Sequence, residues 1–203
     1  MLDKIYVFDD IIDLNYQNTI KNKLIGEEQF PWYYIEDVSS SDIRNQKRGG
    51  FTHEYVNEDG IQSDYHYLFL DLIKKSCSKI KLKEVNAILG RSFLQLPSNI
   101  KKEDVDTPHT DIHVDHFVML YYVCDSDGDT IIYNERCEDV NDYFNNMNVV
   151  ENNLFTIQKK VTPKQGRVVL FNGKLYHTAE QPNHNIRCVV NYDLRDLSVD
   201  SHI

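Results

Sequence analysis

From residue 84 onward, hydrophobic and polar positions alternate along short segments that are separated by turn-forming residues. A period of two places every second side chain on the same face of a strand, whereas helices repeat near 3.6 residues. Segments of this kind occupy residues 85–96, 117–123, 130–134, 154–160, 167–171, 175–179 and 186–192. The Asp127-Gly128 dipeptide between the second and third segments predicts a hairpin turn. Many short strands at such spacing predict a β-sandwich or jelly roll.

The first 83 residues have a helical pattern that is interrupted by short extended segments. A helix is predicted to begin after Asp13, whose carboxylate suits an N-cap, and to end at Gly26. A second helix is predicted from Ser63 through Cys77, where apolar residues recur at helical spacing. Short strands are predicted at residues 5–8 and 30–35.

Residues 36–64 are polar and contain adjacent glycines and serines, so they are predicted to form a long loop. Long loops in compact domains often bind ligands or close over a site. This loop and residues 136–153 are the expected substrate-facing segments, although neither carries a recognisable motif. We expect residues 1–203 to form one domain, with a support layer at 1–83 and a β core at 84–196.

Composition and charge narrow the range of partners. A chain of 203 residues is long enough for one domain with a sizeable core, and its 13 Tyr and 9 Phe favour β-structure. The formal net charge of -10 opposes binding along duplex nucleic acid, because the phosphate backbone repels an acidic surface. Nucleic acid is therefore a disfavoured partner, and an exposed loop or a single modified nucleotide stays open. The sequence indicates no particular oligomeric state.

The cysteines and the N-terminus predict a cytoplasmic protein. Cys77, Cys124, Cys137 and Cys188 form no Cys-x-x-Cys pair and no zinc-like spacing, so we expect reduced thiols. The first residues carry charge and no long apolar run, so we expect neither a signal peptide nor a membrane-spanning helix.

The densest cluster of potential metal ligands is Pro-His-Thr-Asp-Ile-His-Val-Asp-His at residues 108–116, directly before the apolar run 117–123. On a strand, His109 and Asp111 would point to the same face. A second histidine from elsewhere in the chain would complete a set of two imidazoles and one carboxylate, which leaves three positions of an Fe(II) ion open. His177 follows a later strand-like segment and supplies that histidine.

This set of residues resembles the Fe(II)- and 2-oxoglutarate-dependent oxygenases, in particular the small prolyl-4-hydroxylase-like members common in phages and bacteria. The resemblance consists of His109-x-Asp111, His177, the basic residue Arg187 ten positions later, and a Leu-Tyr-Tyr-Val run before an Asp-rich turn. It covers residues 85–194, about half of the chain. A lone His-x-Asp pair is a weak signal, whereas the complete set in this order on strand-like segments is specific.

The resemblance implies a double-stranded β-helix, the jelly-roll fold of cupins, with N-terminal helices packed on one sheet. It implies an enzyme that uses Fe(II), 2-oxoglutarate and O2 to hydroxylate an unactivated C–H bond, with release of succinate and CO2. A prolyl peptide or an amino-acid-type substrate is expected, and a small-molecule substrate stays open. The resemblance also implies a cytoplasmic location in a bacterium or a phage-infected cell. Two other classes remain open: a cupin-like metal enzyme that does not use 2-oxoglutarate, and a non-catalytic binding module of the same fold.

The resemblance makes Arg187 the expected anchor of the distal 2-oxoglutarate carboxylate. A guanidinium stays charged and binds a carboxylate through two parallel hydrogen bonds. The alternative is an exposed arginine paired with Asp193 or Glu180, which the apolar neighbours of Arg187 disfavour. Three further residues match positions that line the co-substrate site in this family, with ordinary strand packing as the alternative: Tyr122, Thr130 and Asn191.

The expected iron ligands, which are also the catalytic residues, are His109, Asp111 and His177, and a solvated strand edge is the alternative for the His-x-Asp pair. The pair has an internal rival, because His113-Val114-Asp115 repeats the same pattern. The first pair is preferred because family members often carry a proline before the motif histidine, as here. Because His113 and Asp115 share its parity, we expect them on the same face, further out towards the substrate.

Overall fold

Two antiparallel β-sheets face each other, and two helices cover the outer face of the larger sheet. This computed structural model describes residues 4–26, 29–38, 48–98, 105–138 and 154–197. The helices are α1 (Leu14–Ile25), a 3-10 helix (Asp64–Phe69) and α2 (Leu70–Lys79). The strands are β1 (Tyr6–Phe8), β2 (Tyr33–Ile35), β3 (Gly50–Asn57), β4 (Gly60–Ile61), β5 (Val85–Gln95), β6 (Phe117–Tyr122), β7 (Thr130–Arg136), β8 (Ile157–Val161), β9 (Val168–Asn172), β10 (Leu175–Ala179) and β11 (Arg187–Asp196).

The larger sheet has the strand order β1-β9-β6-β11-β5-β3-β2, with β4 paired to β3. The smaller sheet has the order β10-β7-β8. Every strand pair is antiparallel. This arrangement confirms the predicted jelly roll, a double-stranded β-helix with N-terminal helices packed on one sheet.

Two hydrophobic cores lie on opposite faces of the larger sheet. The odd-numbered side chains of β6 join the core between this sheet and the helices, and the even-numbered ones join the core between the two sheets. Because β6 is buried on both faces, its sequence is a continuous apolar run rather than an alternating one. Burial of apolar surface on both faces is the main stabilising contribution to this layered architecture.

Strand β11 has the same alternation but is polar on one face. Cys188, Val190 and Tyr192 belong to the core under the helices. The intervening Arg187 and Asn191 therefore face the smaller sheet, where they line a cavity between the two sheets. The polar positions of one central strand thus mark the place where the candidate site lies.

The two predicted N-caps and the end of α1 at Gly26 are confirmed, whereas the second segment begins as a 3-10 helix and α2 continues to Lys79. The Asp13 carboxylate accepts a hydrogen bond from the backbone N–H of Tyr16 at 3.0 Å, and Gly26 is the C-cap of α1. The Ser63 hydroxyl accepts from the backbone N–H of Tyr65 at 3.3 Å and begins the second helical segment. Such caps satisfy backbone N–H groups that have no partner inside a helix. All four cysteines are free and buried, as expected for reduced thiols.

The prediction of one long loop over residues 36–64 is wrong, because β3 and β4 lie within it. Strand β3 was missed because Thr52 and Glu54 line the cavity. These polar side chains interrupt the apolar pattern that a buried strand would show. The other predicted substrate-facing segment, residues 136–153, lies outside the described residues from position 139 onward.

The hairpin predicted at Asp127-Gly128 is also wrong. Strand β6 belongs to the larger sheet and β7 to the smaller one, so the connection between them crosses from sheet to sheet. The Asp127 carboxylate accepts hydrogen bonds from the backbone N–H groups of Asn183, His184 and Asn185, and so ties this crossover to the β10–β11 connection.

Residues 6–61 supply four strands to the larger sheet, in addition to the helix that covers it. The N-terminal part of the chain is thereby hydrogen-bonded into the sheet that holds β11. No helix in the described part of the chain is long and apolar enough to cross a membrane.

Candidate active site

Two histidines and an aspartate converge at one end of the space between the sheets. His177 lies on β10, and His109 forms an isolated bridge to it, in which each backbone N–H donates to the other residue's carbonyl at 3.0 Å. Residues 110–116 form bends and no strand, so the strand geometry predicted for His109 and Asp111 is wrong. The bridge and the following bend bring Asp111 to the same point instead.

Asp111 lies beside both imidazoles. Its Oδ2 atom is 3.3 Å from His177 Nε2, and its Oδ1 atom is 3.9 Å from His109 Nε2. One potential ligand atom from each of the three residues lies within 4.8 Å of the others. The fold therefore brings together the three residues that the sequence singled out as iron ligands.

The hydrogen bonds of both imidazoles leave the inward-facing nitrogens unprotonated. His109 Nδ1 lies 2.9 Å from the carbonyl oxygen of Thr107, and His177 Nδ1 lies 3.1 Å from that of Leu175. A carbonyl only accepts, so in each neutral ring Nδ1 carries the hydrogen and Nε2 presents a lone pair. Two lone pairs and a carboxylate that face one another repel unless a cation lies between them. This set of donors fits a divalent metal ion.

Electrostatics favour the protonation states that a metal requires. Burial alone would raise the pKa of the Asp111 carboxyl, but the adjacent His177, His109 and Arg91 outweigh it and hold the pKa well below its usual range. Burial, followed by the proximity of His177, lowers the pKa of His109. At neutral pH the carboxylate is therefore ionised and His109 is neutral.

Two neighbouring strands orient the Asp111 carboxylate. Arg91 on β5 donates from Nη2 to Oδ1 at 3.2 Å, and Asn191 on β11 donates from Nδ2 to Oδ2 at 3.2 Å. Arg91 and Asn191 are directly opposite each other in the sheet. Hydrogen bonds to a ligating carboxylate set its direction and charge. Asn191 lines the cavity as predicted for a co-substrate residue, but the contact of its amide is to Asp111.

A cavity of ≈ 340 Å³ extends from these residues to Arg187, which is buried at the start of β11. Arg187 donates from Nε to the Gly128 carbonyl at 3.1 Å, from Nη1 to Gln95 Oε1 at 2.9 Å, and from Nη2 to Thr130 Oγ1 at 2.9 Å. A guanidinium has five N–H donors, so one remains on each Nη atom. Donors on both Nη atoms of one guanidinium can bind a carboxylate through two parallel hydrogen bonds.

The alternative for Arg187, an exposed arginine paired with Asp193 or Glu180, is wrong. Arg187 is 5% exposed. Glu180 Oε1 forms an ion pair with Lys160 Nζ at 2.5 Å, and Asp193 Oδ1 lies 3.6 Å from His116 Nε2. Burial lowers the pKa of the Arg187 guanidinium, and the Tyr122 phenol and the Asp106 carboxylate act in the opposite direction. The cation thus lies inside the cavity, where an anionic group can reach it.

No protein-family model matches this sequence, and no curated protein is similar to it in sequence. Its structure is similar to solved structures. An oxidoreductase of the 2OG-Fe(II) oxygenase family from Burkholderia pseudomallei aligns with a TM-score of 0.64 and 9% identity, over 95% of this chain and 85% of that one. A prolyl hydroxylase from Trichoplax adhaerens, solved with a hypoxia inducible factor peptide, aligns with a TM-score of 0.61 and 11% identity, over 98% and 87%.

The chain has the fold of the 2-oxoglutarate and Fe(II)-dependent oxygenases. The predicted resemblance is confirmed at this level. A further similar structure is the alpha ketoglutarate dependent epimerase SnoN from nogalamycin biosynthesis, with a TM-score of 0.60 and 10% identity over 95% of this chain and 76% of that one. The oxygenase fold is therefore shared by proteins that act on different substrates, and at these identities the similarity establishes the fold alone.

Within this oxygenase fold, Thr130 on β7 connects Arg187 to Tyr122 on β6. The Tyr122 phenol donates to Thr130 Oγ1 at 2.7 Å, while Arg187 donates to the same oxygen. Thr130 Oγ1 thus accepts twice, which leaves its own hydrogen free to donate to another group. Burial raises the pKa of Tyr122 to about 12, so the phenol remains a donor at neutral pH. Thr130 and Arg187 line the cavity, whereas Tyr122 does not and contacts it only through its hydrogen bond to Thr130.

A network of buried polar side chains contacts Arg187 through Gln95. Gln95, which accepts from Arg187, also donates from Nε2 to Asp106 Oδ2 at 3.5 Å. Asp106 Oδ1 accepts from Arg48 Nη1 at 2.8 Å and from Gln181 Nε2 at 2.7 Å. Because its amide nitrogen is turned to Asp106, Gln95 presents its oxygen to Arg187. Buried charges of this kind are tolerated only when they are paired and hydrogen-bonded.

The rival pair His113 and Asp115 does not lie with the other histidines. Both residues are exposed and line a second cavity of ≈ 210 Å³, where Asp115 forms an ion pair with Lys174 at 3.1 Å. The prediction that they share the face of His109 and Asp111 is wrong, because it assumed an extended strand through residues 110–116.

Behind Asp111 lies a buried pair that the sequence did not reveal as part of the site. Burial, strengthened by the negative charge of Asp111, raises the pKa of Asp193 well above its usual value. Burial also lowers the pKa of its neighbour His116. Both groups are therefore neutral at neutral pH, which avoids an unpaired buried charge. The alternation of polar positions 187, 191 and 193 on β11 was the available signal for Asp193.

Proposed function

We propose that this protein is an Fe(II)- and 2-oxoglutarate-dependent dioxygenase. It hydroxylates an unactivated C–H bond of an amino-acid-type or peptide substrate and releases succinate and CO2. In this proposal His109, Asp111 and His177 hold the iron, and Arg187 binds the distal carboxylate of 2-oxoglutarate. The three groups that would bind iron and the guanidinium that would bind the co-substrate lie in one cavity, and this single observation carries the proposal.

The spacing along β11 supports this division of the cavity. Asn191, which donates to Asp111, and Arg187 are four residues apart, which is roughly 13 Å along a strand at about 3.3 Å per residue. Between them, Val189 on β11 and Phe93 on β5 are opposite each other and line the cavity with apolar surface. The small dicarboxylate would therefore extend from the metal ligands to the guanidinium across an apolar wall that excludes water.

The protein's own side chains have three tasks in this reaction. When bound, a ferrous ion supplies the redox chemistry that couples oxidation of 2-oxoglutarate by O2 to insertion of one oxygen atom into the substrate C–H bond. The histidines present unprotonated nitrogens, and Asp111 supplies a negative charge that Arg91 and Asn191 keep oriented. Arg187 and the Thr130 hydroxyl hold the far carboxylate of 2-oxoglutarate, which fixes its orientation at the metal.

The proposal includes the organisation of the chain and its location. We propose that residues 1–203 act as one oxygenase domain, in which residues 1–83 support the β core of residues 84–196. A cytoplasmic location is proposed because all four cysteines are free thiols, which persist in a reducing compartment. A prolyl peptide is among the proposed substrates because one similar structure is a prolyl hydroxylase.

The proposal is tested by turnover of 2-oxoglutarate in the Fe(II)-loaded protein. After anaerobic loading with iron, O2 is admitted and succinate is measured with and without candidate substrates. We expect slow 2-oxoglutarate-dependent succinate formation without substrate. Arg187→Ala should abolish it, whereas the matched change Arg195→Ala, at an exposed position of the same strand, should not.

The same assay separates the other functional classes. Iron-dependent O2 uptake that does not require 2-oxoglutarate and is unchanged in Arg187→Ala would indicate a cupin-like enzyme that does not use this co-substrate. Binding of 2-oxoglutarate without any succinate in the presence of iron and O2 would indicate a non-catalytic module. Either result would contradict the proposed function.

A further inference from the structure

The mouth of the cavity carries opposite charges on neighbouring strands. Arg91 on β5 and Glu54 on β3 are register partners, and both line the cavity beside Asp111. Directly opposite residues on one face of a sheet have Cβ atoms about 5 Å apart, close enough for their side chains to pair. Across the part of the chain that the structure describes, however, no ion pair joins them.

Each of the two charges is turned to a different neighbour. Arg91 donates to Asp111, and its guanidinium lies over the Phe93 ring, 5.2 Å from the ring centre. The Arg91 side chain is 26% exposed, and its buried Nε has no hydrogen-bond partner among the described residues. Glu54 is exposed and accepts from Asn57 Nδ2 at 2.6 Å. A positive group therefore lies next to the metal ligands, and a negative group lies one strand further out.

The size of the cavity limits the substrate. Ligand pockets in proteins are typically about 300–1,000 Å³. At ≈ 340 Å³, the cavity between the described residues is near the lower end of this range. It must hold 2-oxoglutarate as well as the reacting part of the substrate. The part of the substrate that enters the cavity beside 2-oxoglutarate is therefore small.

From these observations, and on the basis of the proposed function, we infer that the substrate is a free α-amino acid. Its carboxylate binds Arg91 and its ammonium group lies towards Glu54. Arg91 already contacts Asp111, so a carboxylate on the guanidinium lies beside the metal ligands and places the amino-acid side chain next to the reacting centre. A guanidinium and a carboxylate form charge-assisted hydrogen bonds, the strongest class in proteins.

The inference predicts discrimination against blocked termini. If the substrate has an N-acetyl group and a C-terminal amide, it covers Arg91 and Glu54 without neutralising either charge. A blocked analogue therefore loses the charge-assisted hydrogen bonds to both groups, and such bonds are roughly twice as strong as neutral ones. A residue inside a peptide also lacks both charged termini. The comparison of free and blocked amino acids therefore also separates free amino acids from peptide substrates.

Calorimetric titration of anaerobic protein loaded with Fe(II) and 2-oxoglutarate tests the inference. The probes are the twenty standard L-amino acids and their N-acetyl, N-methylamide counterparts. We expect at least one free amino acid to bind, with an affinity at least about 100-fold higher than its blocked counterpart. The inference is overturned if no free amino acid binds, or if blocked counterparts bind as tightly as the free ones.

Variants at the two charges give a second test with a matched control for each. Glu54→Gln should weaken binding of the free amino acid at least about tenfold and reduce its advantage over the N-acetyl form. Glu58→Gln, an identical change at an exposed turn position, should leave both unchanged. Equal affinities for Glu54→Gln and the wild type would overturn the assignment of the ammonium subsite.

Arg91 is tested by a ratio because it also contacts Asp111. In Arg91→Gln, the preference for a free carboxylate over the methylamide should disappear, while Arg195→Gln keeps it. A loss of iron lowers the apparent affinity for both forms equally and leaves their ratio unchanged. Retention of the full preference in Arg91→Gln would therefore overturn the inference, whatever the iron content.

Failure of the inference and failure of the proposed function are distinguishable. If 2-oxoglutarate supports succinate formation but no amino acid binds, the proposed function stands and the inference is wrong. If free amino acids bind and 2-oxoglutarate supports no turnover, the charged subsite stands and the oxygenase reaction is wrong.

Discussion

Each of three histidines at the site has its Nδ1 atom within hydrogen-bond distance of the carbonyl two residues earlier in the chain. This holds for His109, His116 and His177. The local contact fixes which nitrogen carries the hydrogen, so all three rings present an Nε2 lone pair to their surroundings. For His109 and His177 that lone pair faces Asp111, whereas for His116 it faces the buried carboxyl of Asp193. The difference between a ligand and a structural histidine here is what lies opposite Nε2.

This geometry predicts which histidines are needed for iron. His109→Ala and His177→Ala should each lose nearly all iron after anaerobic loading and desalting, because two ligands hold a ferrous ion weakly. His113→Ala should keep it, since His113 is exposed in a different cavity. Metal analysis of the desalted proteins is the measurement. Iron retention in His177→Ala together with loss in His113→Ala would mean that the other His-x-Asp pair binds the metal.

The Thr130 hydroxyl is predicted to contribute to the binding of 2-oxoglutarate. Thr130→Val keeps the shape but leaves Arg187 Nη2 and the Tyr122 phenol without their acceptor. In the proposed complex the same change removes the hydroxyl that donates to the 2-oxoglutarate carboxylate. A hydrogen bond to a charged group contributes about 1.5–3 kcal/mol, and each 1.4 kcal/mol is about tenfold in affinity. We expect 2-oxoglutarate to bind the variant at least about tenfold more weakly by calorimetry.

The exposed residue Thr19 on α1 provides the control for this change. Thr19→Val removes a hydroxyl that contacts only its own helix and should leave 2-oxoglutarate affinity unchanged. Unchanged affinity in Thr130→Val would instead show that the Thr130 hydroxyl does not contribute to co-substrate binding.

At the residue scale, the sequence predicted the meeting of His109, Asp111 and His177 but gave a wrong reason for it. The argument assumed that the His-x-Asp pair lies on a strand, whereas a single bridge to His177 and a bend bring the pair into position. The contact of Asn191 with Asp111 could not be predicted, because hydrogen-bond partners depend on side-chain geometry across strands and not on spacing in one strand.

Among the elements, β11 determines most of the site. One face packs under the helices, and the other carries Arg187, Asn191 and Asp193 into the space between the sheets. This alternation is visible in the sequence, so the strand and its polar face were predictable. The sheet to which each strand belongs was not, because β6 and β7 are consecutive in the chain but lie in different sheets. Local turn residues carry no information on that crossover.

The first strand is attached to the β core by an ion-pair network whose pH dependence is predicted. Asp9, directly after β1, binds Arg167 through Nε and Nη2 at 2.7 and 3.0 Å and Lys164 at 3.1 Å. The hydrogen bond from Arg167 is the largest influence and lowers the pKa of Asp9 to about 2. A lowered pKa in the folded state means that the carboxylate contributes stability above the unfolded value near 4 and loses it as the pH falls towards 2.

Asp9→Asn should therefore destabilise the protein at pH 7 and have little effect in acid. Partly exposed ion pairs contribute up to about 1 kcal/mol, which corresponds to about 2–4 °C in Tm for a chain of this size. The difference in Tm between wild type and variant, measured by calorimetry from pH 7 to pH 3, should narrow as the pH falls. A difference that stays constant or widens in acid would contradict the network's role.

For the whole molecule, the double-stranded β-helix was predictable because its strands are short, regularly spaced and accompanied by the ligand pattern of a known family. It was harder to predict from the sequence that N-terminal residues form strands of the larger sheet, since β3 carries polar side chains towards the cavity. Glu54 belongs to that strand, so its position at the mouth of the cavity could be recognised only in the folded structure. The parts of the site that sequence reasoning missed are those supplied by elements whose polar residues resemble a loop.

At this scale, hydrogen bonds between layers also position the side chains of the site. Arg187, Gln95, Asp106 and Arg48 come from four different segments and form one buried network. The network links the segment before β3, the β core and the end of the cavity that Arg187 lines. Side chains held by several elements at once are positioned more precisely than those on a single loop.

The central claim is that one cavity holds Fe(II) through His109, Asp111 and His177 and binds 2-oxoglutarate between that metal and Arg187. It is tested most directly by titrating 2-oxoglutarate into anaerobic Fe(II)-loaded protein while recording the weak metal-to-ligand charge-transfer band in the visible spectrum. We predict a saturable band at one equivalent of 2-oxoglutarate, which is lost in His177→Ala and requires much higher concentrations in Arg187→Ala. Protein that retains iron but develops no band at any 2-oxoglutarate concentration would contradict the account.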